Sequence, residues 1–230
     1  MLLWLRTQWQ RRELAWTLRV AKGELPDAPY HNTLGTLEGE WGTRILMLCS
    51  KVGLHTFGYD FDLRYSVYRY SRGAHPHEWD HYQGVDRSVN THWHTDNEDR
   101  RVLKMVILLH DVDEECGPFC YMSGTNVCGS RSRELRETLT TFFRTTRLSW
   151  RGSDEFVQWY AANAFLERVP LCLKRCTGVS GTVFFVDTAG FHKGGDPFIG
   201  RERLCWFAGL TSKAPWPISK WGRPSTFTQG

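Results

Sequence analysis

Between residues 63 and 210 the chain is repeatedly cut into short segments rich in β-formers or apolar residues, each closed by turn residues. That punctuation restricts it to folds built from antiparallel strands. Leu63–Tyr70 alternates in the manner of a strand. Thr91–Asp96 is strand-like, and after a polar break at Asn97–Arg101 the run Val102–Leu109 is almost continuously apolar, interrupted by Lys104. A turn at Asp111–Gly117 leads into Pro118–Met122 and a second turn at Ser123–Gly124. Gly181–Asp187 and Arg203–Leu210 read as two more strands, separated by the glycine-rich stretch His192–Gly200.

Helical periodicity is expected over residues 2–21, where Leu2, Leu5, Trp9, Leu14, Trp16, Leu18 and Val20 approximate one face, and over 131–147 and 154–167, the latter opened by Ser153 with Glu155 in its first turn. Residues 23–44 read as connecting loop from their glycines and prolines, followed by a short apolar run Ile45–Cys49. Residues 71–90 are polar and of active-site lid length. The order of helix, strands, two-helix insertion and strands suits an antiparallel β-sandwich or jelly roll with flanking helices. One domain over 1–230 is expected, with 1–62 as support, 63–210 as core carrying a helical insertion at about 131–167, and 211–230 as a tail.

Composition narrows the partners. The 11 Trp, 13 Phe and 8 Tyr supply ample core material. The net charge of +4 is scattered, as in Arg131–Glu137, so no stripe tracks a phosphate backbone and nucleic acid binding is not expected. No segment has the roughly 20 apolar residues of a membrane span, and Arg6, Arg11, Arg12 and Glu13 break any signal-peptide core. The expected setting is intracellular and soluble. Seven cysteines, at 49, 116, 120, 128, 172, 176 and 205, form no secreted disulfide framework. The Cys116/Cys120 and Cys172/Cys176 pairs could hold structural zinc, but free buried thiols are the expected reading.

Alternate residues of a strand share a face, so His94-Thr-Asp96 would set an imidazole beside a carboxylate. His192, where the apolar run Gly181–Phe191 reaches a loop, offers a third ligand. Two histidines and one carboxylate with open positions form the facial triad of non-haem iron(II) oxygenases. Eleven residues on, Arg203 begins an apolar strand, where a buried guanidinium needs an anion; its donor fork suits the distal carboxylate of 2-oxoglutarate.

The H-T-D at 94–96, the stretch Val112-Asp-Glu-Glu-Cys-Gly-Pro-Phe-Cys-Tyr-Met-Ser-Gly-Thr-Asn126, and Gly181-Thr…Phe191-His192…Arg203 together resemble the phytanoyl-CoA dioxygenase-like family over roughly residues 63–210. The resemblance implies a double-stranded β-helix (jelly roll, cupin-like), with Fe(II) on His94, Asp96 and His192, 2-oxoglutarate on Arg203, and O2 as oxidant. It further implies oxidation of an unactivated C–H of a small organic or natural-product substrate, with release of succinate and CO2. The chain departs from the family pattern in two places: Gly124-Thr-Asn126 replaces Gly-Ser-His, and Cys205 stands where a Ser or Thr often contacts 2-oxoglutarate. Relatives that halogenate lack the carboxylate of H-x-D; with Asp96 present, oxygenation is favoured.

Other residues compete for these roles. His92 shares the face of His94 but is read as a core histidine; His75, His77 and His81 are read as solvated loop histidines, and His110 as marking a strand exit. Arg201 shares strand parity with Arg203, and Lys104 is a second alternative for the 2-oxoglutarate carboxylate, although with Arg203 present Lys104 is expected to snorkel towards solvent. Trp93 and Phe191 would keep the site dry, and Arg64-Tyr65 and Arg69-Tyr70 could line its mouth. A zinc hydrolase built on the same three ligands would leave Arg203 idle. A non-catalytic cupin-like binding protein would keep the triad as a binding device.

Overall fold

The computed structural model describes residues 1–24, 30–35, 39–58, 61–75, 93, 94, 96, 102–126, 173–212, 218–219 and 223–224, and structural statements here concern those residues. In chain order the elements are α1 (Leu2–Ala21), β1 (Tyr30–Leu34), α2 (Gly39–Phe57), β2 (Phe61–Arg72), β3 (Leu103–Leu108), a 3-10 turn (Glu114–Cys116), β4 (Phe119–Met122), β5 (Leu173–Cys176), β6 (Val183–Asp187), β7 (His192–Gly194), β8 (Glu202–Ser212), β9 (Ile218–Ser219) and β10 (Arg223–Pro224). Five strands pair antiparallel in the order β1-β2-β8-β3-β6, and three more in the order β5-β4-β7. Two antiparallel sheets with flanking helices bear out the mainly β, double-stranded β-helix reading. The helical insertion at about 131–167, most of the lid segment 71–90, and His77, His81 and His92 lie outside the described residues.

The period of two along each strand sorts the larger sheet into two faces. Leu103, Met105 and Ile107 of β3, with Trp206, Ala208 and Leu210 of β8, pack against Leu5 and Trp9 of α1 and Ile45 and Cys49 of α2. This is the outer core. The intervening residues Val106 and Leu108, Cys205 and Phe207, and Val186 pack instead against Phe119 and Cys176 of the smaller sheet. All six residues of β3 are buried, as expected of a central strand covered on both sides, and each large aliphatic side chain so buried contributes roughly 1.5–3 kcal/mol.

Two readings of the N-terminal region need correction. Residues 23–44 are not simply a loop: β1 pairs with β2, and α2 begins at Gly39 and absorbs the run Ile45–Cys49. Gly42, Ile45, Cys49 and Gly53 are its buried positions, spaced by three and four residues along one helical face. Glycine at 53 serves close approach, because a Cβ there would lie 2.4 Å from the Phe61 ring. On α1 the expected stripe narrows to its first half: Leu5 and Trp9 are buried, whereas Leu14 and Leu18 are exposed. The glycine-rich stretch after His192 also contains β7.

Candidate metal centre

Three segments meet where the two sheets face each other. The His94 amide donates to the His192 carbonyl at 3.0 Å and the His192 amide donates to the His94 carbonyl at 2.9 Å, so the two histidines face each other as a hydrogen-bonded antiparallel pair. Their rings are 4.2 Å apart. Two residues on from His94, the Asp96 amide donates to the Thr188 carbonyl at 2.9 Å, anchoring the carboxylate-bearing residue to the end of β6. The result is one ligand atom from each of His94, Asp96 and His192, all within 4.8 Å of one another and all on buried residues.

The sequence just before β7 holds His192 in place. Thr125 donates its hydroxyl to the Met122 carbonyl at 2.7 Å and accepts the Phe191 amide at 2.9 Å, while Asn126 donates to the Asp187 carboxylate at 3.0 Å. Gly124-Thr-Asn126 is therefore a brace between the two sheets. Gly117 adopts a positive φ of 62° and packs against the Gly195–Pro197 backbone, where a Cβ would come within 2.5 Å of Asp196 and Pro197 atoms. The Gly-Pro pair of the motif thus lets the chain lie directly on the segment that follows His192.

The donor set suits a divalent metal. The Gly190 carbonyl, which can only accept, lies 2.9 Å from His192 Nδ1, so Nδ1 carries the proton and Nε2 keeps its lone pair for a metal. His192 Nε2 is 3.5 Å from Asp96 Oδ2, close to the roughly 3 Å separating two donors that share an ion at about 2.0–2.2 Å. Burial, aided by the charges of His94 and Lys104 and opposed by Asp96, holds the His192 imidazolium well below its usual range, so the ring is neutral. Burial alone would raise the Asp96 carboxyl, but the Lys104 ammonium beside it opposes burial, and the carboxyl is held below its usual range and ionised.

Arg203 and Arg201 have different surroundings. Arg203 is buried on the inner face of β8; its Nη1 donates to the Gly195 carbonyl at 3.1 Å and its Nη2 to Ser71 Oγ at 3.4 Å. Arg201 instead pairs at the surface with Asp113 and Glu115. Lys104 does not snorkel: it is 8% exposed and its Nζ lies 2.5 Å from Asp96 Oδ2. The reason is strand parity, which points it inward with Val106 and Leu108, where its ammonium meets the Asp96 carboxylate. Trp93 and Phe191 are both buried beside the histidines. His110 ends its strand by accepting the Leu204 amide at 2.7 Å, and His75 is exposed. Cys49, Cys116, Cys120, Cys176 and Cys205 are free and buried, and the triad is the only potential metal-holding group of three among the described residues. Ser71 and Thr125 escaped the sequence reading, since a single hydroxyl in a strand or turn carries no pattern.

No family model matches this sequence, and no curated protein matches it. Solved structures do. HygX from Streptomyces hygroscopicus, with nickel and 2-oxoglutarate bound, is 14% identical, covers 90% of this chain and 79% of its own, and superposes with a TM-score of 0.51. The epimerase SnoN, in complex with Fe3+, alpha ketoglutarate and nogalamycin RO, is also 14% identical, with 90% and 75% coverage and a TM-score of 0.53. At that identity the likeness is one of fold. No helix among the described residues is long and apolar enough to cross a membrane.

Proposed function

We propose that this chain is an Fe(II)- and 2-oxoglutarate-dependent oxygenase, with His94, Asp96 and His192 as the metal ligands and Arg203 as the partner of the 2-oxoglutarate carboxylate. The observation that carries the reading is the convergence of the three buried ligand atoms within 4.8 Å, in a fold shared with proteins solved with 2-oxoglutarate and a metal. Iron(II) bound there would supply dioxygen activation coupled to decarboxylation of 2-oxoglutarate, leaving succinate and CO2 and oxidising a substrate C–H.

The chain's own residues position and exclude. His192 presents Nε2 because Gly190 holds Nδ1–H, and Phe119 stacks on the same ring at 5.4 Å. Arg203, held by donation to Gly195 and Ser71, places a planar guanidinium on the inner face, the group whose donors suit a carboxylate. Phe119 on the His192 ring and the burial of all three ligand residues keep water out. A buried guanidinium on this face favours the 2-oxo acid over a zinc hydrolase, which would have no use for it. The substrate is a small organic molecule; SnoN was solved with nogalamycin RO.

Anaerobic titration with iron(II) and then 2-oxoglutarate tests the assignment. A weak visible charge-transfer band is expected in the wild type and is expected to vanish in Asp96→Ala; a fully reduced wild type that binds both yet shows no band would sink the oxygenase reading in favour of a non-catalytic binding protein.

A further inference from the structure

The Lys104–Asp96 contact has an unusual address. A residue that supports a metal-binding carboxylate ordinarily holds the oxygen turned away from the ion. Here Lys104 Nζ sits 2.5 Å from Oδ2, the same oxygen that lies 3.5 Å from His192 Nε2 and so faces the centre of the triad. Both side chains are nearly sealed, with the Lys104 side chain 10% and the Asp96 side chain 6% exposed. The contact is also inflexible at its base: Lys104 is the second residue of a fully buried strand flanked on both sides, with Val186 of β6 and Gly209 of β8 as its register partners.

We propose that Lys104 is a positioning residue that acts as an internal counter-cation, holding Asp96 Oδ2 in the metal-free protein and opposing the metal for that oxygen. This rests on the metal centre proposed above. A buried carboxylate without a counter-charge is strongly destabilising, so the ammonium lets the protein fold before any metal arrives. The same ammonium weakens metal binding, because a divalent ion on Oδ2 would lie a few ångströms from a fixed positive charge in a water-poor site. Lys104 thus sets the metal affinity from below, and the metal-free and metal-loaded proteins differ in which cation Asp96 serves.

Cobalt(II) binding, followed by its visible d–d absorption, and thermal unfolding of the metal-free protein test this in the wild type, Lys104→Met, Lys104→Gln, Asp96→Ala and the double variant Asp96→Asn/Lys104→Met. The metal-free Lys104→Met protein is expected to melt about 10 °C below the wild type, and the double variant to regain most of that loss because the stranded charge is gone. Cobalt(II) is expected to bind Lys104→Met about tenfold to a hundredfold more tightly than the wild type. Lys104→Gln, which keeps a donor and loses the charge, covers the case in which Lys104→Met does not fold, and is expected to tighten binding as well. If the wild type binds cobalt(II) in an Asp96-dependent way but neither Lys104 variant tightens, or the double variant regains nothing, the counter-cation role is wrong and the metal centre stands. If no variant binds cobalt(II), the metal centre itself is wrong.

Discussion

The two faces of the larger sheet are made by the same strands from alternating residues, yet they are chemically unlike. On the outer face, Leu103, Met105 and Ile107 interleave with Trp206, Ala208 and Leu210 in an apolar cluster under α1 and α2. On the inner face the same two strands contribute Lys104 and Arg203 among Val106, Leu108, Cys205 and Phe207, with the histidines and Asp96 meeting across the gap. One residue's step along a strand separates a side chain whose work is packing from one whose work is electrostatic. A period-two polymer can therefore carry stability and a reactive site on one sheet, provided the register does not slip.

The sharpest separation comes from truncating the outer face. Ile107→Ala removes three buried carbons beneath the helices and is expected to lower the unfolding free energy by about 2–5 kcal/mol. Metal and 2-oxoglutarate affinity should change by less than about threefold. Urea denaturation alongside ligand titration checks both, and an affinity loss that tracks the stability loss would break the division between faces. The converse change is Arg203→Ala, expected to weaken 2-oxoglutarate binding by about tenfold to a hundredfold, as for loss of a charge-assisted pair. Metal affinity should hold, since Arg203 is not one of the three grouped ligand residues and donates to Gly195 and Ser71. Isothermal titration of each ligand separately would show it, and a parallel loss of metal affinity would place Arg203 in the wrong role.

Much of the inner face was legible because its signals are local. His94 and Asp96 are two apart in a strand-like run, His192 ends an apolar one, and Arg203 opens another, so period two and spacing sufficed to bring forward all four. Lys104 shows the limit: inward parity could be read from its neighbours, but the carboxylate it meets comes from a segment eight residues earlier by a path only the folded sheet defines. The error at α2 has a different cause. Gly39 and Gly42 read as loop because glycine disfavours helices by about 1 kcal/mol, whereas in the structure Gly42 and Gly53 are on the buried face, and at Gly53 the absence of a side chain lets the helix approach Phe61 of the sheet. The helical stripe spanning Ile45 and Cys49 was present but was outweighed by the glycine count.

The smallest expected effect asks whether the two faces are equally dry. Burial pushes the Cys49 thiol of the outer core up to about 12, and does the same to Cys176 and Cys205 of the inner core, to about 12 and about 11, the latter despite the nearby Arg203 and Arg69 charges. Each folded value lies above the ordinary 9.0, so the native state keeps a proton that the unfolded chain gives up. The associated stability is whole below pH 9 and drains away as pH rises towards 11 or 12, by up to about 1.4 kcal/mol per pH unit for each thiol. Denaturation midpoints under reducing conditions between pH 8.5 and 10.5 should fall in the wild type, and Cys49→Ala and Cys205→Ala should each flatten the slope by a similar amount once their neutral-pH costs are subtracted. A slope that Cys49→Ala flattens and Cys205→Ala leaves unchanged would mean that water reaches the inner face, and that Arg203 and Lys104 are solvated charges instead of buried ones.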